Sequence, residues 1–354
     1  MVEKKIKIGN RFIGDKQPCF IIAEAGSNHD QKFSQAIKLI EVAAEAGADA
    51  VKFQVFSASK IAANTNARIA SLRNDKFGTY GKNLYNFYKK FEMPKEWLPR
   101  LQKHAKECGI IFSATAFDEE AVDELAKIGV PFYKIASFEL VHIPLIDYVA
   151  SKNKPIILST GMATMPEIAE ALDTVRQTGN SRYALLHCGI GYPAHVPDIN
   201  LAAMEAMHKR FLCPIGYSDH SLGITIPIAA IARGAKIIEK HYTISRKLRG
   251  PDHKFALEPH ELKLMVRSIR DVEAAIGSNL KKPAKSELIH LKRGRRSIFA
   301  SSFIKSGDVI TKDKLVVLRP ASGLAPKFFK RIIGKKARLN IGPHEPITWN
   351  KLGR

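Results

Sequence analysis

KIIEKHYT, residues 236–243, carries two adjacent isoleucines straight into charged and aromatic side chains. Twenty-two residues earlier, PIGYSDH (214–220) ends its own apolar run in the same way. Both read as short strands buried on two faces, because a parallel strand covered by helices has no wet side and does not alternate. Working outward, six further runs have the same character, namely FIIAEAG (20–26), AVKFQVF (50–56), IIFSATAF (110–117), FYKIAS (132–137), PIILSTG (155–161) and ALLHCG (184–189). Between them lie helical patterns such as SQAIKLIEVAAEAGAD (34–49) and EEAVDELAKIG (119–129), whose glycines suit helix C-termini. Strand starts are mostly 22 to 30 residues apart, the length of one βα unit. Eight such units predict an α/β chain with a closed (β/α)8 TIM barrel. An open doubly wound sheet would ordinarily carry G-x-G-x-x-G after its first strand, and AEAGSNHD (23–30) is no match.

One interval departs from the rhythm. About 60 residues separate the second and third strand starts, leaving an insert that holds FGTYGKNLYNFYKKFEMPKEW (77–97), with seven aromatics in 21 positions. Long βα loops lie on the C-terminal face of a barrel, so the insert is expected as a lid, a substrate wall, a dimer contact or a plain packing helix. The barrel domain is expected over residues 1–282, its last helix within EPHELKLMVRSIRDVEAAIG (258–277). Residues 283–296 read as a polar, basic linker, and 297–354 as a small β-rich domain.

Composition narrows the class. The 354 residues are 45% hydrophobic and 25% charged, an ordinary globular balance. No apolar run is long enough to span a bilayer, and the charged start MVEKKIKIGNRF is not a secretory signal, so no membrane partner and a cytoplasmic location are expected. Four scattered cysteines suit neither a zinc ribbon nor a disulfide framework. Cys188, beside His187, reads as a nucleophile or, in the plainer alternative, as a small buried hydrophobe. The net charge is +22, of which residues 283–354 supply +13, from 17 lysines and arginines against 4 acids. Such a tail suits nucleic acid, an acidic lipid surface, an anionic substrate or plain solvated surface. Only KFFKR (327–331) interleaves aromatics with the charge, so nucleic acid is the weaker expectation.

Side chains at the C-terminal tips of barrel strands converge on one mouth. The tips carry Glu24, Lys52, Gln54, Thr115, Lys134, Ser137, Glu139, Ser159, Thr160, His187, Ser218, Asp219, His220, Glu239 and His241. His220 and His241 end neighbouring strands, and closure brings Glu24 beside them. Two imidazoles near carboxylates suit a divalent metal with positions left open, Mn²⁺ or Mg²⁺ rather than zinc, or else two hydrogen-bonded rim histidines. Lys52 and Lys134 require negative charge, either from Glu24, Glu139 and Glu239 or from a bound phosphate or carboxylate. Hydroxyls at Thr115, Ser137, Ser159 and Ser218 favour the second choice, a small phospho-acid.

Taken together, IIAEAGSNH (21–29), DAVKFQ (49–54), YKIAS (133–137), ILSTGM (157–162), LLHC (185–188), GYSDH (216–220), IEKHYT (238–243) and GPDHKFALEP (250–259) resemble the sialic acid synthase family, over nearly the whole chain. RRSIFASSFIKSGDVITKDKLVVLRPASG (295–323) is similar to the antifreeze-protein-like SAF domain, a β-clip, that follows the barrel there. The resemblance implies condensation of phosphoenolpyruvate with an amino-sugar aldehyde and water, giving a nonulosonic acid and free phosphate. It implies His220 and His241 as ligands of a divalent metal, Mn²⁺ foremost, with Mg²⁺ or Co²⁺ as alternatives. It assigns phosphoenolpyruvate contacts to Lys52, Thr115, Lys134, Ser137, Ser159 and Ser218, and sugar contacts to Gln54, Glu139, Tyr192 and Asp252. Glu24 matches the active-site acid, and Glu239 stands close enough to share that work. A domain-swapped homodimer is implied as well, with Arg319 reaching the sugar in the partner's site. GIGYPA (189–194) departs from the family's usual TNIYPT, because Ile190 stands at the asparagine position. SFELVHIP (137–144) and GLAPKFFKRIIGKKA (323–337) resemble the pseudaminic branch, whereas GPDHKFALEP resembles the sialic and legionaminic branches. The acceptor is thus N-acetylmannosamine or a di-N-acetylated 6-deoxyhexose. A synthase acting on a phosphorylated pentose or tetrose is the near rival, but such barrels generally lack a SAF tail.

Overall fold

A computed structural model describes residues 5–73 and 77–353; the first four residues of the charged N-terminal stretch lie outside it. An antiparallel hairpin, β1 (Lys5–Ile8) and β2 (Arg11–Gly14), precedes the barrel. The barrel strands are β3 (Phe20–Gly26), β4 (Ala50–Val55), β5 (Ile111–Ala116), β6 (Tyr133–Ile135), β7 (Ile156–Ser159), β8 (Tyr183–Cys188), β9 (Ile215–Asp219) and β10 (Ile237–His241). They close in chain order, all parallel, with β10 pairing β3 through His241 opposite Glu24. This is the eight-stranded barrel that the strand spacing predicts.

The outer helices are α1 (Phe33–Glu45), α2 (Ala58–Ile61), α3 (Leu84–Phe91), α4 (Leu98–Glu107), α5 (Glu119–Lys127), α6 (Ile143–Ser151), α7 (Met165–Gln177), α8 (Ala203–Phe211), α9 (Thr225–Ala232) and α10 (Pro259–Ile276). Local signals set their ends. The Asp118 carboxylate accepts the Ala121 amide at 2.8 Å to cap α5, and Thr164 with Glu167 forms a capping box on α7. After α1 and α5 the chain turns at Gly47 (φ +80°) and Gly129 (φ +72°), left-handed conformations that glycine adopts without a Cβ penalty. α2 and α3 occupy the insert between β4 and β5. No helix among the described residues is long and apolar enough to cross a membrane.

Every second residue of a barrel strand faces inward, so the interior is layered. Phe20, Ile22, Ala50, Phe132, Ile157, Ala184, Leu186 and Ile237 form an apolar cluster at the strand starts, and Ile6, Ile8 and Ile13 of the hairpin join it, fully buried. The alternating KIKI of β1 is a period-two strand signal that sends its isoleucines inward and its lysines out. The hairpin therefore closes the N-terminal end of the barrel. Arg11 of β2 and Arg270 of α10 both pair with Asp49, whose carboxylate also accepts the Ile21 amide at 2.8 Å. The outward-facing strand residues and the helices' apolar faces make the larger cluster.

The chain divides into compact units at Gly277 and Ser278. In the second unit α11 (Leu288–Arg293) lies in the expected linker, and β11 (Ser297–Ala300) pairs antiparallel with β12 (Leu315–Leu318). This unit has its own core, with Ile298, Ile304, Ile310, Ile332, Ile341 and Ile347 fully buried, and α12 (Phe329–Ile332) supplies one of them.

Because the hairpin contributes wholly buried side chains to the barrel's lower layer, Ile8→Ala is expected to lower stability by about 2–5 kcal/mol. Urea unfolding of the variant beside the parent measures it; a change under about 0.5 kcal/mol, ordinary for a surface position, would show that the hairpin does not seal the barrel.

Candidate active site

The layer above the apolar one is ionic. From strand to strand it holds Glu24, Lys52, Thr115, Lys134, Ser159, Ser218 and Glu239, each buried. Lys52 Nζ lies 2.7 Å from Glu24 Oε2, donates to Thr115 Oγ1 at 2.8 Å and stands 3.8 Å from Glu239 Oε1. Lys134 Nζ donates to Ser159 Oγ at 2.7 Å and to the Ile135 carbonyl at 2.8 Å, and is 3.9 Å from the same Glu239 oxygen. Ser218 donates to that oxygen at 3.2 Å, while Glu239 Oε2 is buried with no hydrogen-bond partner. Two ammonium groups thus share one carboxylate, and lysine donors remain for an anion.

The two acids diverge in proton affinity. Burial raises Glu24 to about 7, against the pull of Lys52 and with the help of Glu239. Burial also pushes Glu239 upward, but Lys134 and Lys52 prevail and hold it below its ordinary value. Environments that separate two carboxyls in this way set one up to carry a proton while the other stays charged. Gln54 donates to Glu24 Oε1 at 2.9 Å.

Above this layer His220 and His241 meet, with ring centroids 5.3 Å apart and both side chains almost wholly buried. His220 Nδ1 is 3.0 Å from the Gly189 carbonyl, an arrangement that leaves Nε2 as the ligating nitrogen. Burial and the neighbouring cations His220 and Lys52 hold His241 well below its ordinary value, in the neutral form that binds metals. Its Nδ1 has no hydrogen-bond partner and lies 3.6 Å from Asp252 Oδ2. These two rings fit a divalent metal, and among the described residues no set of three or more histidine, cysteine or acidic side chains does so. Further ligands would therefore come from substrate and water. Gly26 (φ +51°) makes the approach feasible, since a Cβ there would stand 3.0 Å from Asp252 Oδ2 and 3.3 Å from His241 Cε1.

Of the remaining expected contacts, Tyr192, Ser137 and Glu139 fall at the same mouth. Tyr192 lays its ring 4.4 Å from that of His220, and Ser137 accepts the Gly161 amide at 3.0 Å. Glu139 ends a single 3-10 turn after β6, its carboxyl raised by burial. Arg319 is exposed on the second unit, next after β12. Three tip residues turn away instead. His187 faces outward, 2.7 Å from the Ile199 carbonyl; Thr160 donates to the Leu186 carbonyl at 3.0 Å; Asp219 pairs with Lys240 among the helices, neither side chain more than 1% exposed. Each is one register step from an inward position, and a one-residue step flips the face.

Cys188 turns inward, so the neighbour of its thiol is His220 Nδ1 at 3.7 Å and not His187. Burial opposes ionisation there, but His220 prevails and draws the thiol below its ordinary value. Burial would lower His220 too, yet the ionised thiol beside it holds that imidazole up at about 9, so a metal on Nε2 would have to displace that proton. A relay behind Asp252 is not apparent from the sequence: His253 sits 3.0 Å from Asp30 Oδ1 through Nε2 and 2.6 Å from Thr243 Oγ1 through Nδ1, fixing the loop that carries Asp252. Its one signal is the histidine of GPDHKFALEP.

A parallel barrel with an ionic, two-histidine mouth has the form of a barrel enzyme whose open end can hold a small anion. Similarity to known proteins gives the family. Residues 39–281 match the NeuB family and residues 295–353 the SAF domain. The N,N'-diacetyllegionaminic acid synthase of Legionella pneumophila is 40% identical over 343 residues, 96% of each chain. The enzyme of that name from Campylobacter jejuni is 41% identical over 92% of this chain and 98% of its own. The crystal structure of the N-acetylneuraminic acid synthetase of Leptospira borgpetersenii, in complex with citrate, superposes with a TM-score of 0.72 at 35% identity, covering 82% of this chain and 96% of that one. The chain belongs to the NeuB family.

Two outcomes follow from the buried charges. Glu24 gains affinity for a proton on folding, so the native protein holds a proton that the unfolded chain releases between pH 4.5 and about 7. Stability should fall as pH rises through that window, by up to about 1.4 kcal/mol per pH unit for this one group, and Glu24→Gln should flatten the slope. Identical slopes in urea titrations of the metal-free proteins would reject the assignment. On the outer face, Lys240→Met strands Asp219 and should cost about 3–5 kcal/mol, which Asp219→Asn in the same chain largely restores; additive losses in the double variant would show that the two side chains do not act as a pair.

Proposed function

We propose that the chain is a nonulosonic acid synthase, condensing phosphoenolpyruvate with the open-chain aldehyde of an N-acetylated amino sugar. The carrying observation is that Lys52 and Lys134 share Glu239 while the hydroxyls of Thr115, Ser159 and Ser218, from three strands, converge around them. With Glu24 protonated and Glu239 ionised, the layer holds two cations against one carboxylate and is suited to receive an anion. Relatives named as legionaminic acid synthases over almost the full chain support the same reaction.

In this reading Lys52, Lys134, Thr115, Ser137, Ser159 and Ser218 hold the phosphate and carboxylate of phosphoenolpyruvate. Gln54, Glu139, Tyr192 and Asp252 hold the sugar. A divalent metal on His220 and His241, Mn²⁺ or else Mg²⁺ or Co²⁺, would supply polarisation of the aldehyde oxygen. C3 of phosphoenolpyruvate forms the new bond to the aldehyde carbon, and positive charge grows at C2, where ionised Glu239 offsets it. Glu24 gives its proton to the new alkoxide and takes one back from the water that adds to C2. The C2–O bond to phosphorus breaks, the C2 hydroxyl becomes the ketone, and its proton leaves with the phosphate. Lys52 and Lys134 neutralise the departing charge. A domain-swapped homodimer, in which Arg319 of one chain enters its partner's site, and a cytoplasmic setting complete the proposal.

Phosphate release from phosphoenolpyruvate, measured with Mn²⁺ across a panel of amino sugars, tests it. Release should depend on sugar, stop with chelator, and fall about 10²–10³-fold in kcat in Lys134→Met. His241→Ala should lose Mn²⁺ binding by electron paramagnetic resonance. Full activity of His241→Ala in chelator would remove the metal, and silence across the panel would remove the synthase reading.

A further inference from the structure

A cavity of about 230 Å³ opens beside His241, and half of its lining residues are phenylalanines or tyrosines. Gln54, Tyr192, His241 and Asp252 line it on the side of the reaction site. The insert between β4 and β5 supplies Leu72, Phe87, Tyr88 and Phe91, and the loops after β5 and β6 add Phe117 and Phe138. Its rings hold one another: Phe56 stands edge-on to Tyr88 at 5.5 Å and to Phe117 at 5.7 Å, and Phe87 lies tilted 5.2 Å from Phe91. Among the described residues no lysine or arginine lines it. The mouth is thus divided: cations and hydroxyls sit deep in the barrel, and apolar rings sit above.

Resting on the synthase reading, we infer that this aromatic wall selects the acceptor: a sugar whose carbons remote from the aldehyde bear apolar groups, a terminal methyl above all, and no phosphate. With phosphoenolpyruvate on the lysines and the aldehyde at the histidines, the rest of the acceptor extends along Gln54, Tyr192 and Asp252 into the ring-lined space. Those polar groups meet the sugar's hydroxyl and amide atoms. Beyond them a methyl group is buried favourably, a hydroxyl finds few partners, and a phosphate finds no cation among the described residues of this wall. Aromatic faces also suit the C–H side of a sugar ring or acetamido methyl.

The test compares kcat/KM for phosphate release with three acceptors. Two are diacetamido hexoses identical except for a methyl or a hydroxymethyl at the terminal carbon, and the third is N-acetylmannosamine 6-phosphate. The methyl sugar should lead its hydroxymethyl twin by about 10–100-fold, the range one such group commands in an apolar pocket, and lead the phosphorylated sugar by more. Phe138→Ser changes a residue that is 52% exposed and so leaves the core intact. It should narrow the preference at least threefold through KM, with an unchanged thermal midpoint. Phe87→Ser serves as a second reading of the same wall. Equal rates, or a lead for the hydroxylated or phosphorylated sugar, would overturn the inference and leave the synthase reading standing. Silence with every sugar would remove both.

Discussion

Two lysines buried in the middle of a barrel are the constraint from which the rest of the site follows. Lys52 and Lys134 are each 2% exposed, and an ammonium group that deep must be matched in charge and in hydrogen bonds. Glu24 and Glu239 supply the charge, while Thr115 and Ser159 receive the protons. Since Glu239 is shared at 3.8 and 3.9 Å, neither lysine is fully neutralised by it. The divergence of Glu24 and Glu239 has the same origin, because one acid faces two cations while the other is dominated by its burial.

Much of this arrangement is legible in the sequence, for a simple reason. Parallel barrel strands are short and wholly apolar except at their tips, so an ionisable residue following two isoleucines can only be a mouth residue. What the pattern does not supply is the parity of each strand. IIEKH offers Glu239, Lys240 and His241 in succession, and only register decides that Lys240 turns out to Asp219 while its neighbours turn in. His187 and Cys188 exchange roles by the same rule. The hairpin escapes a reading by composition because the lysines between its isoleucines register as charge, although the alternation itself is the signal.

The insert shows a different limit. Its aromatic content announces burial, but aromatic residues bury equally well under a helix or beside a ligand. Only the three-dimensional closeness of Phe87 and Tyr88 to Gln54, Tyr192 and His241 separates those outcomes. Sequence distance hides it, as residues some 150 positions apart share one wall. The histidine relay from Asp30 to Thr243 is hidden likewise, since its members meet only when the barrel closes.

The hairpin stopper at the foot of the barrel makes the chamber a blind alley. Ile6, Ile8 and Ile13 leave no passage through the lower layer, so traffic is confined to a single doorway. On the proposed reading, phosphoenolpyruvate lies deepest and arrives before the sugar stands in front of it. The phosphate is then the innermost fragment after the reaction, and the nine-carbon product is the cork. Under that reading, a barrel closed at one end imposes an order of arrival and departure on its substrates.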